Sequence, residues 1–168
     1  MGEDLLCKLH LKDVEAEFVN PFLLAFQETL VSLGNKPSSK GELRLMETDR
    51  LQHDVSVLLR ISGGVQGAVI FGMTEPVACK FASCCFMGIM VDKMDEMARS
   101  SLDEFSLRIS KKARDQLVSK GFLCNVNHSV SYGRAIRFTE KTQFLCVTYH
   151  MEHGDLAVMV NLSRADIA

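Results

Sequence analysis

The chain has 168 residues, 47% hydrophobic and 24% charged, with 19 basic against 21 acidic side chains. Length and apolar content fit a single domain spanning 1–168 and exclude a largely disordered chain. A net charge of −2 offers no basic footprint for nucleic acid, and no apolar run approaches the ~20 residues that cross a bilayer.

The start, Met1-Gly2-Glu3-Asp4, is acidic and lacks the layout of a signal peptide. A cytoplasmic protein with neither membrane nor nucleic-acid partner is expected. The six cysteines (Cys7, Cys79, Cys84, Cys85, Cys124 and Cys146) form no C-x-x-C. They read as buried thiols, not as a metal or redox site.

From Asp13 to Leu33, Phe18, Phe22, Phe26 and Leu30 recur every four residues, which is a helical period. Asn20-Pro21 falls inside this run. The preferred reading makes Asn20 the cap of a helix that starts at Pro21. Gly34-Asn35 can end the helix, and Lys36 to Gly41 reads as a loop.

Three strands are expected next. They are marked by Leu43 and Leu45, by alternating Val55, Val57, Leu59 and Ile61, and by the apolar run Val65 to Met73. Ser62-Gly63-Gly64 joins the last two as a hairpin. Gly67 and Gly72 mark a bulge or a close approach.

Thr74-Glu75-Pro76 then opens a helix carrying Val77, Ala78, Phe81, Ala82, Cys85 and Phe86, which ends at Gly88. Asp92 or Asp95 caps a longer helix that stops at Gly121. The last third reads as strands Phe122 to Tyr132, Arg134 to Phe138, Phe144 to His150 and Leu156 to Leu162, with His153-Gly154-Asp155 as a turn.

Short hairpin connections make the strands antiparallel. The expected fold class is therefore α+β, an antiparallel sheet covered by helices in the order α-βββ-αα-βββ(β). Two strand triplets flanking the helices hint at a duplicated unit, although no sequence repeat accompanies them.

On a wheel of ~100° per residue, Ala98, Leu102, Phe105, Ile109, Ala113 and Leu117 fall in one buried stripe. Ser100, Glu104, Leu107, Arg108 and Lys111 fall opposite. One outward face thus pairs a carboxylate with a solvent-facing leucine one turn away. A surface Glu104–Arg108 ion pair, worth a few tenths of a kcal/mol, accounts for part of this pattern without any partner.

The segment Met94 to Phe105 resembles the central helix of the CheX family, chemotaxis phosphatases related to CheC and FliY, which reads approximately D-x-x-x-S-x-x-x-E-x-x-N. Asn20-Pro21-Phe22 resembles the family's opening of its first long helix. Ile61-Ser62-Gly63-Gly64-Val65-Gln66-Gly67-Ala68-Val69 resembles its I-x-G-x-x-G-x-V hairpin, and Gly133 matches a glycine late in the chain. The resemblance spans about residues 14 to 163.

It implies a CheC/CheX-like fold and a homodimer, for which a free strand edge would be one route. It also implies binding to the phosphorylated receiver domain of a CheY-type response regulator, in chemotaxis or other two-component signalling. In the family the motif glutamate docks on a receiver lysine, and the asparagine orients the water that hydrolyses the aspartyl phosphate. Phosphate and Mg2+ belong to the receiver, so no cofactor of the chain's own is implied.

Glu104 matches the motif glutamate, but Leu107 stands at the asparagine position. Leucine can neither donate nor accept a hydrogen bond. Weak or absent phosphatase activity follows, with Leu107 a contact and not a catalytic group, and with Ser100, Glu104, Leu107, Arg108 and Lys111 as the partner-binding set.

Two alternatives stay open. One is an active phosphatase using another outward polar group with Glu104. The other is a non-enzymatic sensor or scaffold with no receiver partner. A second E-x-x-N, Glu17-Phe18-Val19-Asn20, is disfavoured, because with Asn20 as cap Glu17 lies before the helix. His150 and His153, three apart in a strand, point to opposite faces and make a poor metal pair. Lys111, Lys112 and Arg114 read as a solvated basic helix end.

Overall fold

The computed structural model describes residues 16–32, 39–85, 89–151 and 154–165. The expectations placed on Cys7, Gly34-Asn35, Phe86, Gly88 and His153 lie outside them. We label the elements α1 (Ala16–Ser32), β1 (Ser39–Lys40), β2 (Arg44–Leu51), β3 (Val55–Gly63), β4 (Val65–Met73), α2 (Glu75–Cys85), α3 (Glu96–Ser119), β5 (Cys124–Tyr132), β6 (Ile136–Met151) and β7 (Gly154–Arg164).

The strands form one antiparallel sheet in the order β1-β6-β7-β4-β3-β5, with β2 also paired to β6. This is the expected α+β class. Its centre is the β4–β7 pair, in register from Val65 opposite Arg164 to Met73 opposite Leu156. Hairpin β3–β4 flanks it on one side and hairpin β6–β7 on the other. The first strand of each triplet crosses over: β2 pairs β6, and β5 pairs β3. The two triplets are thus arranged symmetrically about the centre.

Alternation assigns the two faces. Val55, Val57, Leu59, Ile61, Val69, Phe71, Val147, Val158 and Val160 join Phe18, Phe22, Phe26, Phe81, Phe105 and Ile109 in the main core under the helices. On the opposite face, Leu58, Ile70, Met159 and Cys146 are covered by Leu51, Ile136 and Phe144. The sheet's second face is therefore covered in part by side chains of its own β2–β6 arm. At Gly67, φ is +138° and an added Cβ would meet the Asn161 carbonyl oxygen at 1.8 Å, so only glycine lets β4 approach β7 there.

Three sequence expectations change. The first helix does not start at Pro21: it is helical from Ala16, with Pro21 inside. Proline removes one backbone hydrogen bond, but the preceding turn buries Phe18 and Val19, and Phe18 packs edge-on against Phe122 with centroids 4.9 Å apart. Tertiary packing outweighs the local signal.

The two strands expected at Arg134 to Phe138 and Phe144 to His150 are one 16-residue strand, β6. No glycine or proline interrupts Thr139 to Gln143, and β2 pairs along this stretch with one register shift between Thr48 and Arg50. The loop expected over Lys36 to Gly41 contains the short strand β1.

Other local expectations hold. Asp95 caps α3, its carboxylate accepting from the Ala98 N–H at 2.9 Å. The chain leaves α3 through Gly121, at φ +90°. Before α2, the Glu75 N–H donates to the Asp54 carboxylate at 3.0 Å, so a loop residue from the β2–β3 connection helps to satisfy that helix end.

Candidate functional site

Helix α3 is the central helix. It packs over β5 and β3 and touches both α1 and α2. Its inward stripe is completely buried: Ala98, Leu102, Phe105, Ile109, Ala113 and Leu117 have no exposure. Phe105 stacks obliquely on Phe81 of α2, with centroids 4.9 Å apart. These anchors fix which way the helix faces.

The opposite stripe is therefore set as well. Ser100, Glu104, Arg108 and Lys111 are exposed, and Leu107 is partly buried. That corrects the expectation of a solvent-facing leucine: Leu107 keeps an outward position but part of its surface is covered. The Arg108 Nε donates to Glu104 Oε1 at 3.2 Å, with the side chains 48% and 53% exposed respectively. At that exposure the pair contributes only about 0.3–0.5 kcal/mol. It orders the Glu104 carboxylate without burying it.

Ser106, beside Leu107, is closed off. Its side chain has no exposure, its hydroxyl donates to the Asp103 carbonyl at 2.8 Å, and His128 Nδ1 lies 2.8 Å away. With its one proton given to that carbonyl, the hydroxyl accepts from the His128 ring N–H. The serine is thus neither an activated nucleophile nor an outward hydroxyl.

The surroundings add residues that the sequence reading missed. Met97 is exposed on α3 two turns before Glu104, and its seven-residue spacing to the glutamate was visible in the sequence. Cys85, at the end of α2, feels both members of the pair. Burial pushes its thiol up, Arg108 pulls it the other way, and Cys84 and Glu104 add to the rise. Only the fold brings it there. Ile89 and Met90 after α2 are strongly exposed. Glu75, Cys79, Lys80, Cys84, Met90 and Asp92 help to line a cavity of about 670 Å³ beside α2.

On the other flank, the Arg99 guanidinium stacks over the Tyr132 ring at 4.5 Å. Burial, with Asp103 adding and Arg99 opposing, holds the Tyr132 hydroxyl up at about 12. The expected basic run is divided, since the Lys112 ammonium reaches Glu28 of α1 at 4.0 Å. His150 pairs with Asp155 at 2.8 Å.

The second E-x-x-N also differs from expectation. Glu17 and Asn20 both lie within α1, one turn apart, and Asn20 is exposed. Glu17 does not precede the helix.

No family model matches the chain. The chain is 26% identical over 92 residues to the CheY-P phosphatase CheX of Thermotoga maritima, a match covering 54% of this chain and 59% of that protein. Among solved structures it is similar to the chemotaxis protein CheX of Desulfovibrio desulfuricans, with TM-score 0.74, 21% identity, and 89% and 99% of the two chains covered. It is likewise similar to the CheX–CheY–BeF3–Mg2+ complex of Borrelia burgdorferi, with TM-score 0.72, 22% identity, and 88% and 98% covered.

The chain has the fold that these CheX structures share. Its sequence is also similar to that of CheX, over about half of its length.

Proposed function

We propose that the chain is a cytoplasmic signalling protein that binds the phosphorylated receiver domain of a CheY-type response regulator through the outward face of α3, with weak or absent aspartyl-phosphate phosphatase activity. The observation that carries this reading is the exposed Glu104 carboxylate, ordered on the rigid central helix of a CheX-type fold with Leu107 one turn beyond it. Ser100, Arg108 and Lys111 complete the contact face. The chain brings no cofactor, and Mg2+ belongs to the receiver.

In this reading Glu104 docks on a receiver lysine, and Leu107 fills the place where the family motif has asparagine. Phosphoryl transfer to water depends on positioning and charge stabilisation, and a leucine cannot orient the attacking oxygen. A homodimer formed through a free sheet edge, at β5 or on the β1–β2 side, belongs to the same proposal. A relative of this fold bound to CheY with BeF3 and Mg2+ supports the choice of partner.

One observation favours a second reading. Because Glu17 and Asn20 share α1 at the spacing of the motif and Asn20 is exposed, α1 could supply the amide that α3 lacks, making the chain an active phosphatase.

Titration of a CheY-type receiver in its beryllofluoride–Mg2+ form tests the main reading. Binding stronger than to the unmodified receiver is expected. Hydrogen bonds to charged groups contribute about 1.5–3 kcal/mol, so Glu104→Ala should weaken binding roughly 10- to 100-fold. Binding unchanged by Glu104→Ala, or absent with every CheY-type receiver tried, would overturn it; the latter outcome is the one expected of a scaffold without a receiver partner. Phosphate release faster than the receiver's own, abolished by Asn20→Ala, would establish the second reading.

A further inference from the structure

Resting on the docking reading above, we infer that the α3 face protects the receiver's acyl phosphate instead of hydrolysing it. Leu107 keeps water from the phosphorus, and Arg108 transfers from Glu104 to the phosphoryl oxygens.

The inference starts from what surrounds Leu107. Hydrolysis requires a water oxygen to attack phosphorus in line as the acyl P–O bond breaks, releasing inorganic phosphate and the free aspartate carboxylate. That water needs a group able both to donate and to accept. Ser106 is buried, with its hydroxyl committed to Asp103 and His128. Ser100 is exposed but stands seven residues back, about 10 Å along the helix axis. Lys111 can only donate. A phosphoryl group brought to this turn meets methyl groups, and Leu107 is partly covered, which helps hold those methyls in place.

Arg108 supplies the attraction. Its Nε donates to Glu104 Oε1 at 3.2 Å. Among the described residues, no hydrogen bond engages its two terminal nitrogens, and the side chain is half exposed. When the Glu104 carboxylate turns to a cation on the partner, the guanidinium loses the one carboxylate contact it has among the described residues, beside the site where a dianionic group arrives. Arginine suits phosphoryl oxygens because its planar fork can make two parallel charge-assisted bonds.

An arginine can accelerate phosphoryl transfer when a water is already positioned. Where none is, it stabilises the phosphorylated ground state as well as the transition state, and such uniform binding does not raise the rate. The unpaired guanidinium also makes docking selective for the phosphorylated form.

The test uses a CheY-type receiver labelled with radioactive acetyl phosphate, together with the binding titration in the beryllofluoride form. With free chain at about ten times its Kd, roughly nine-tenths of the receiver is bound, so the acyl-phosphate half-life should lengthen up to about tenfold. Arg108→Ala should still bind through Glu104 but lose most of the lengthening and most of the preference for the phosphorylated form. Leu107→Asn should bind and shorten the half-life below that of the free receiver. Wild-type chain that binds but leaves the half-life unchanged or shortened overturns the protective role while the docking reading stands. Failure to bind in the titration overturns both, and the titration distinguishes the two failures.

Discussion

Truncating Phe105 and truncating Leu107 should have very different consequences, although the residues stand two apart on one helix. Phe105 has no exposure and stacks on Phe81 at 4.9 Å. Replacing a fully buried phenylalanine with alanine costs about 3–5 kcal/mol, through lost transfer energy and the cavity left behind. For a chain of this length each kcal/mol shifts Tm by about 2–4 °C, so Phe105→Ala should lower Tm by roughly 6–20 °C. Leu107 is only partly buried and alanine is the better helix former, so Leu107→Ala should cost about 1–2 kcal/mol.

Urea denaturation of both variants, followed by circular dichroism, measures the difference. A gap of about 1–4 kcal/mol, with Phe105→Ala the costlier, is expected from these ranges. Equal costs, or a larger cost at Leu107, would mean that α3 is rotated from the orientation described, and the outward placement of Glu104 would fall with it.

Two further outcomes follow from local geometry. Asp95→Ala removes the carboxylate that accepts from Ala98 and should cost about 1 kcal/mol, read as a fall in Tm of some 2–4 °C; an unchanged Tm would remove Asp95 as the effective cap. At His53, burial lowers the imidazole pKa below its ordinary 6.5, with Asp54 opposing, and Nδ1 has no hydrogen-bond partner among the described residues. The unfolded chain therefore binds the proton more readily. The contribution is fully present above the unfolded pKa and is lost as pH falls through about 6.5 toward the lowered folded value. His53→Gln should flatten the dependence of Tm on pH across that window, and an unaltered slope would count against it.

What could be read from the sequence was what periodicity encodes. The inward stripe of α3 was legible because six apolar residues repeat at helical spacing over more than five turns, and all six are fully buried. Strands β3, β4 and β7 were legible from alternation or apolar runs bounded by glycines. Pro21 misled because its local preference for a helix start is real, and only Phe122, a hundred residues away, shows why the helix begins earlier. The polar middle of β6 looked like a break, since its pairing with β2 is invisible without the fold. Of the candidate site, the outward positions were readable from the wheel. The partial cover of Leu107, the closing of Ser106 by His128 and the approach of Cys85 were not, because each depends on a neighbouring element.

The crossing of β2 and β5 between the two strand triplets makes the halves inseparable. Cutting the chain between α2 and α3 would strip β3 of β5, β4 of β7 and β2 of β6, so neither piece would retain a finished sheet. Most pairings join distant segments, which makes assembly slow, with entropy lost before contacts reward it. Whatever the α3 surface binds, it is available only once the entire β-framework has closed behind it.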